Sequence, residues 1–207
     1  MFGTRRFFGD VTALHDVEPQ TQRRIPGEEG IWVFVLGDMT VFALFFATFM
    51  YSRGGKNPQS FAAGGHADLH VALGTVNIVL LLSSSLLVVL GVQRVLAGRH
   101  QNATRLFTGA IGCGAGFVVV KAVEWTQLFS AGKGVSSGEY FSYYFVFTGI
   151  HLVHVLIGMA LLTRLTFLTR RPTLEDTQRR LCETGGIFWH MVDLLWVVLF
   201  ALFYLVR

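Results

Sequence analysis

The sequence predicts an all-α integral membrane protein: a bundle of five transmembrane helices, with the N-terminus in the cytoplasm and the C-terminus outside. Three observations predict it: the composition, the length of the apolar runs and the placement of arginine. Of 207 residues, 52% are hydrophobic and 14% charged, with 19 phenylalanines and a mean hydropathy of +0.52. A soluble domain carries roughly 25% charged residues, and a disordered chain needs high charge and few aromatics, so both classes are excluded. The 23 scattered glycines and 2 cysteines exclude collagen and disulfide scaffolds. A span of hydrocarbon takes about 20 apolar residues, and five such runs are present. Membrane-spanning strands are near 10 residues long and alternate strictly. The runs do neither, and unpaired backbone cannot face lipid, so they are helices.

Residues 1–29 form a cytoplasmic N-terminal arm. Arg5 and Arg6 could open a signal peptide, but Gly9–Glu18 is polar and no apolar segment follows. Pro26-Gly27 breaks the chain before the first span. Residues 30–207 form one domain, with spans at about 31–51, 70–92, 106–129, 141–168 and 187–206. The fourth is long enough to tilt or to extend beyond the bilayer. No internal repeat or low-complexity segment is present. Eleven arginines gather on one side of these spans: Arg5, Arg6, Arg23 and Arg24 in the arm, Arg94, Arg99 and Arg105 around the second loop, and Arg170, Arg171, Arg179 and Arg180 in the fourth. The other side carries Arg53, Lys56, Lys133 and Arg207. Cytoplasmic loops collect Lys and Arg, which sets the orientation and accounts for the net charge of +4 without a nucleic-acid partner. Tyr51, Tyr140, Tyr143, Tyr144 and Tyr204 then fall at outer ends, and Trp32 and Trp189 at inner ends. Cys113 lies in an apolar run and Cys182 in an arginine-rich loop, so two free thiols are expected.

An ionisable group in hydrocarbon costs about 2.5–3.5 kcal/mol on insertion scales. Away from helix ends the sequence places Asp38, Lys121 with Glu124, His151 with His154, and His190 with Asp193. Each pair is spaced i, i+3 and shares a helix face. Lys121 and Glu124 read as a structural ion pair, with a proton or ion path as the sharper alternative. His151 and His154 have the spacing for metal or haem ligation. A transition-metal site wants further ligands, however, and His190, the obvious addition, lies nearer the cytoplasmic end. The Glu-x-x-His pairs of di-iron bundles are absent, which favours histidines bonded to neighbouring helices. The Asp193 carboxylate can accept from the His190 imidazole. Asp38 lies roughly 10 Å into the first span with no cation on its own helix. Its partner comes from another helix, water or lipid head groups, or it holds a proton. It is the first candidate for proton handling.

Small and hydroxyl residues complete the pattern. Gly112 and Gly116 form a GxxxG in the third span, flanked by Gly109 and Gly114, and such faces allow close helix approach. Asn77, Thr75, Ser83, Ser84 and Ser85 offer polar glue on the second. No phosphate-binding loop, nucleophile elbow or CxxC is present.

Together these residues resemble subunit III of the haem-copper oxidases, the cytochrome c oxidase subunit 3 family, here in a five-helix form. Phe188-Trp189-His190-Met191-Val192-Asp193-Leu194-Leu195-Trp196 is similar to that family's W-H-x-V-D-x-x-W signature. Phe147-Thr148-Gly149-Ile150-His151-Leu152-Val153-His154-Val155 is similar to its T-G-x-H-x-x-H-V signature. Lys121-Ala122-Val123-Glu124-Trp125 parallels its acidic-aromatic motif, and Asn77 with Ser83 and Ser84 parallels part of an N-T-x-x-L-x-x-S-S pattern. The likeness runs from Gly27 to Arg207. It implies a chain with no catalytic centre, cofactor or metal of its own. Such a chain packs beside oxidase subunit I (and II), binds phospholipids and supports proton uptake and durability in turnover. Oxygen reduction by cytochrome c or quinol then belongs to partners carrying haem and copper, in a bacterial plasma membrane. On this reading Asp38, Lys121, Glu124, His151, His154, His190 and Asp193 serve proton uptake, lipid contact or structure. Gly112, Gly116, Asn77, Ser83, Ser84, Trp125 and Trp196 serve helix packing.

Two departures stand out. Longer family members have seven helices, whereas this chain lacks the first pair, whose space a neighbouring subunit or lipid fills. The family commonly places Glu where this chain has Asp38, in Gly37-Asp38-Met39, a variant closer to a subgroup found with nitric oxide reductases. An accessory protein of a nitric oxide reductase, bound to that enzyme's catalytic subunit, is therefore the alternative. An independent haem or metal transporter using His151, His154 and His190 is a distant third.

Overall fold

The computed structural model describes residues 27–55, 71–171 and 173–205. The expected arm before Gly27, together with Lys56, His70 and Arg207, lies outside these residues. Each apolar run folds into one helix: α1 Glu29–Arg53, α2 Val71–Leu96, α3 His100–Ser130, α4 Glu139–Leu168 and α5 Asp176–Phe200, the last running into a turn of π-helix at Ala201–Leu205. All five are long and apolar enough to cross a membrane, and the described residues contain no strand. The chain is a multi-pass membrane protein.

The helices outrun the apolar stretches that reveal them. α3 begins at His100 rather than Leu106, because Arg99, Gln101 and Asn102 are polar but not helix-breaking. The largest difference is α5, which starts at Asp176 rather than Ile187. The Gln178 side chain reaches back to the Glu175 amide at 3.4 Å, and Asp176 places negative charge in the first turn. The connection holding Arg179, Arg180 and Cys182 is therefore helix, not loop, and Cys182 is buried in it; both thiols are free. Where the chain does turn tightly, between α2 and α3, Gly98 adopts φ +74°, a conformation that favours glycine.

α2 and α3 form an antiparallel pair with the most extensive contact in the bundle, and α5 packs against α2, α4 and α1. Within this chain 61% of the apolar stretch of α5 is buried, against 11% of α1, so α5 is the axis of the fold and α1 its outer stave. Aromatic rings fill the seams where glycine makes room. A Cβ on Gly158 of α4 would lie 2.7 Å from the Trp189 ring, one on Gly74 2.7 Å from Phe200, and one on Gly91 2.8 Å from Phe107. The close approach expected at Gly112 and Gly116 is not made among the described residues. Gly112 is exposed with nothing within 4 Å of its Cβ position, and Gly116 meets only the Leu80 side chain, at 3.5 Å. The physical reason is the helical turn of 100° per residue, which sends Ala110, Gly114, Phe117 and Lys121 inward and leaves Gly112 facing out.

α1 is held by polar ties at its ends and by rings between. Glu183 accepts the Gly27 N–H at 2.9 Å and Thr184 the Glu28 N–H at 3.1 Å. At the other end Ser52 bonds Tyr143 at 3.1 Å and donates to Glu139 at 3.2 Å. Phe45 stacks on Phe147, and Phe49 meets Phe203 edge-on.

Candidate functional site

The chemistry-bearing side chains occupy four places between the helices. At the end of the bundle where α3 gives way to α4, Lys121 and Glu124 sit one turn apart on α3, 2.8 Å from each other and almost fully buried. The ammonium also donates to Tyr144 of α4 at 2.8 Å and to Tyr204 of the π turn at 3.3 Å. Tyr204 in turn donates to the second oxygen of Glu124. The Lys121 nitrogen lies 4.7 Å over the Trp196 ring, a cation–π placement. Three elements thus close around one ion pair and satisfy all three ammonium protons. The sequence reading placed Tyr144 and Tyr204 among interfacial aromatics, but they turn their hydroxyls inward. An ammonium has three donors and one carboxylate nearby, which already requires further acceptors.

One level deeper, His151 is fully buried, with its ring stacked on Trp196 and the edge of Phe117 against it. Asn77 of α2 is also fully buried. Neither the ring nitrogens of His151 nor the amide atoms of Asn77 have a hydrogen-bond partner among the described residues.

Between α1 and α4, Asp38 meets a titratable partner from another helix. Its Oδ1 lies 3.2 Å from His154 Nε2, with the two side chains 13% and 14% exposed. The other ring nitrogen, Nδ1, lies 2.9 Å from the Ile150 carbonyl. A carbonyl only accepts, so Nδ1 carries hydrogen. Nε2 therefore faces the Asp38 carboxyl with the second ring nitrogen already engaged. Asp38 Oδ2 is buried without a partner.

The fourth place lies between α2 and α5. Ser85 bonds His190 Nδ1 at 2.6 Å and also interacts with Asp193, so a hydroxyl from the neighbouring helix stands where the sequence suggested a direct imidazole–carboxylate contact. Ser84 donates to the Ala110 carbonyl of α3 at 2.9 Å. Ser83 is exposed, since two adjacent inward positions leave it outside the 100°-wide inner face, and Thr75 bonds back to its own helix. Trp125 is half-buried and meets Phe145 edge-on.

The three histidines considered as ligands are drawn to different partners: His151 to Trp196, His154 to Asp38 and His190 to Ser85. Among the described residues no group of three or more His, Cys, Asp or Glu is placed to hold a metal ion. What the arrangement offers is a buried ion pair within α3, surrounded by hydroxyls of two other elements, and a carboxyl–imidazole contact at the α1–α4 seam.

Comparison with known proteins covers almost the whole chain. The family model described as cytochrome c oxidase subunit III matches residues 20–206. Cytochrome c oxidase subunit 3 of Thermostichus vulcanus is 28% identical over 206 residues, 99% of this chain and 98% of the relative. Cytochrome c oxidase subunit 3 of Corynebacterium diphtheriae is 30% identical, covering 86% of this chain and 87% of its own. The heme-copper oxidase subunit I+III of Aeropyrum pernix is 29% identical over 181 residues, 85% of this chain; the chain spans 22% of that longer relative.

Proposed function

Because the chain belongs to the cytochrome c oxidase subunit III family, we propose that it is the non-catalytic subunit III of a haem-copper terminal oxidase in a bacterial plasma membrane. The observation that carries this reading is the end-to-end match, which includes both motif-bearing C-terminal helices. The relative whose name joins subunits I and III in one polypeptide supports subunit I as the immediate neighbour. Haem and copper belong to the partners. This chain contributes packing, phospholipid contacts and proton uptake, and its buried acids and imidazoles serve that supporting role. The N-terminus lies in the cytoplasm and the C-terminus outside, with residues 30–207 as one domain.

Within this function Asp38 is the proton-handling residue. The Asp38–His154 contact supports the assignment, because a group that exchanges protons at depth needs a titratable partner beside it. The Gly37-Asp38 variant and five-helix form keep one other reading in view, an accessory protein of a nitric oxide reductase. One experiment separates them: affinity purification through this chain in mild detergent, followed by optical spectra and metal analysis. An oxidase yields haem with copper and consumes oxygen with cytochrome c or quinol; a nitric oxide reductase reduces nitric oxide instead. A preparation without a haem-containing partner sinks both.

A further inference from the structure

Ten buried side-chain nitrogen and oxygen atoms lack a hydrogen-bond partner among the described residues, and five of them belong to three side chains at one level of the bundle. These are both amide atoms of Asn77, both ring nitrogens of His151, and Trp196 Nε1. Trp196 stacks on His151 with centroids 5.3 Å apart, and Phe117 sets its edge against both rings. Asn77 stands at the same level by register. Ser84 of α2 bonds Ala110 of α3; Asn77 precedes Ser84 by two turns, and Phe117 follows Ala110 by two turns on the antiparallel neighbour. Gly74, one turn from Asn77, abuts Phe200, one turn from Trp196.

All three side chains have zero exposure, enclosed by this chain's own helices. A neighbouring subunit or lipid covers the outside of a bundle and cannot reach them. In hydrocarbon surroundings each unsatisfied polar atom costs several kcal/mol. Their chemistry is complementary: the amide has two donors and an acceptor, the neutral imidazole one of each, and the indole one donor. A ligand that meets this set must both donate and accept, and must be small enough to enter a closed core. We propose that Asn77, His151 and Trp196 form a buried hydration site, in which ordered water bridges the amide, the imidazole and the indole N–H. The site lies directly beneath the Lys121–Glu124–Tyr204 cluster, since Lys121 covers the Trp196 ring. It stands whether the catalytic partner is an oxidase or a nitric oxide reductase.

Opposite signs of one substitution test it. Asn77→Leu, His151→Phe and the double variant are made in the full chain, and the assembled membrane complex is purified. If the core is wet, each single variant strands water and lowers the thermal midpoint by several degrees, and the double variant falls by less than the sum of the two. If it is dry, deleting an unpaired amide raises the midpoint or leaves it unchanged, which overturns the proposal. A wild-type density map fine enough to show internal water elsewhere decides independently of assembly. Density within hydrogen-bond reach of Asn77 and His151 supports the site, and none there refutes it.

Discussion

At the scale of single residues, the bundle's buried Lys–Glu pair is held with hydroxyls drawn from two further elements. Breaking a buried ion pair by removing one member typically costs about 3–5 kcal/mol, because the survivor stays buried and uncompensated. Lys121→Met should therefore destabilise the assembled complex strongly, since Glu124 keeps neutral hydroxyl partners such as Tyr204 but no cation. Lys121→Met with Glu124→Gln should recover more than half of that loss in thermal or denaturant unfolding; a double variant as unstable as the single one would contradict the account. Asp38 makes a different prediction. Asp38→Asn keeps the side chain's shape but removes its ionisable acid. Assembly should be intact, with turnover slowed at high pH or catalytic lifetime shortened. Activity and lifetime equal to the wild type across pH would remove Asp38 from proton handling.

At the scale of elements, what matters is which face of each helix meets a ring. Gly158→Ala would drive a methyl into the Trp189 ring at 2.7 Å, and overpacking of that kind costs about 1–3 kcal/mol. Gly112→Ala meets nothing among the described residues, so it should be silent, within about 0.5 kcal/mol; parallel unfolding of the two variants ranks them. Much of this was legible in the sequence. The five spans follow from hydropathy alone, and the i, i+3 spacing placed Lys121 with Glu124. Other features were not, for reasons that are physical. The start of α5 at Asp176 hides from an apolar criterion, because a helix that leaves the membrane stays helical while turning polar. Which of Gly112, Gly114 and Gly116 faces inward depends on helix rotation, and spacing within one helix does not fix rotation. The partners of Asp38 and His190 lie on other helices, 116 and 105 residues away along the chain, so no local pattern points to them. Tyr144 and Tyr204 looked like interfacial anchors because a tyrosine suits both an interface and a buried hydrogen bond.

For the molecule as a whole, the arginine asymmetry predicts orientation. A reporter active only in the cytoplasm should work at the N-terminus and fail at the C-terminus, and cysteine labelling from outside should reach the turn at Lys133 but not the one at Arg99; the reverse pattern would invert the topology. The ties of α1 carry a consequence for biogenesis. Gly27 and Glu28 are anchored to Glu183 and Thr184 of α5, 156 residues further along the chain, while Ser52 and Phe45 rest on α4. α1 therefore docks only after both of those helices have been inserted. Until then its apolar faces are open to lipid, and an insertion factor or the catalytic partner can capture it.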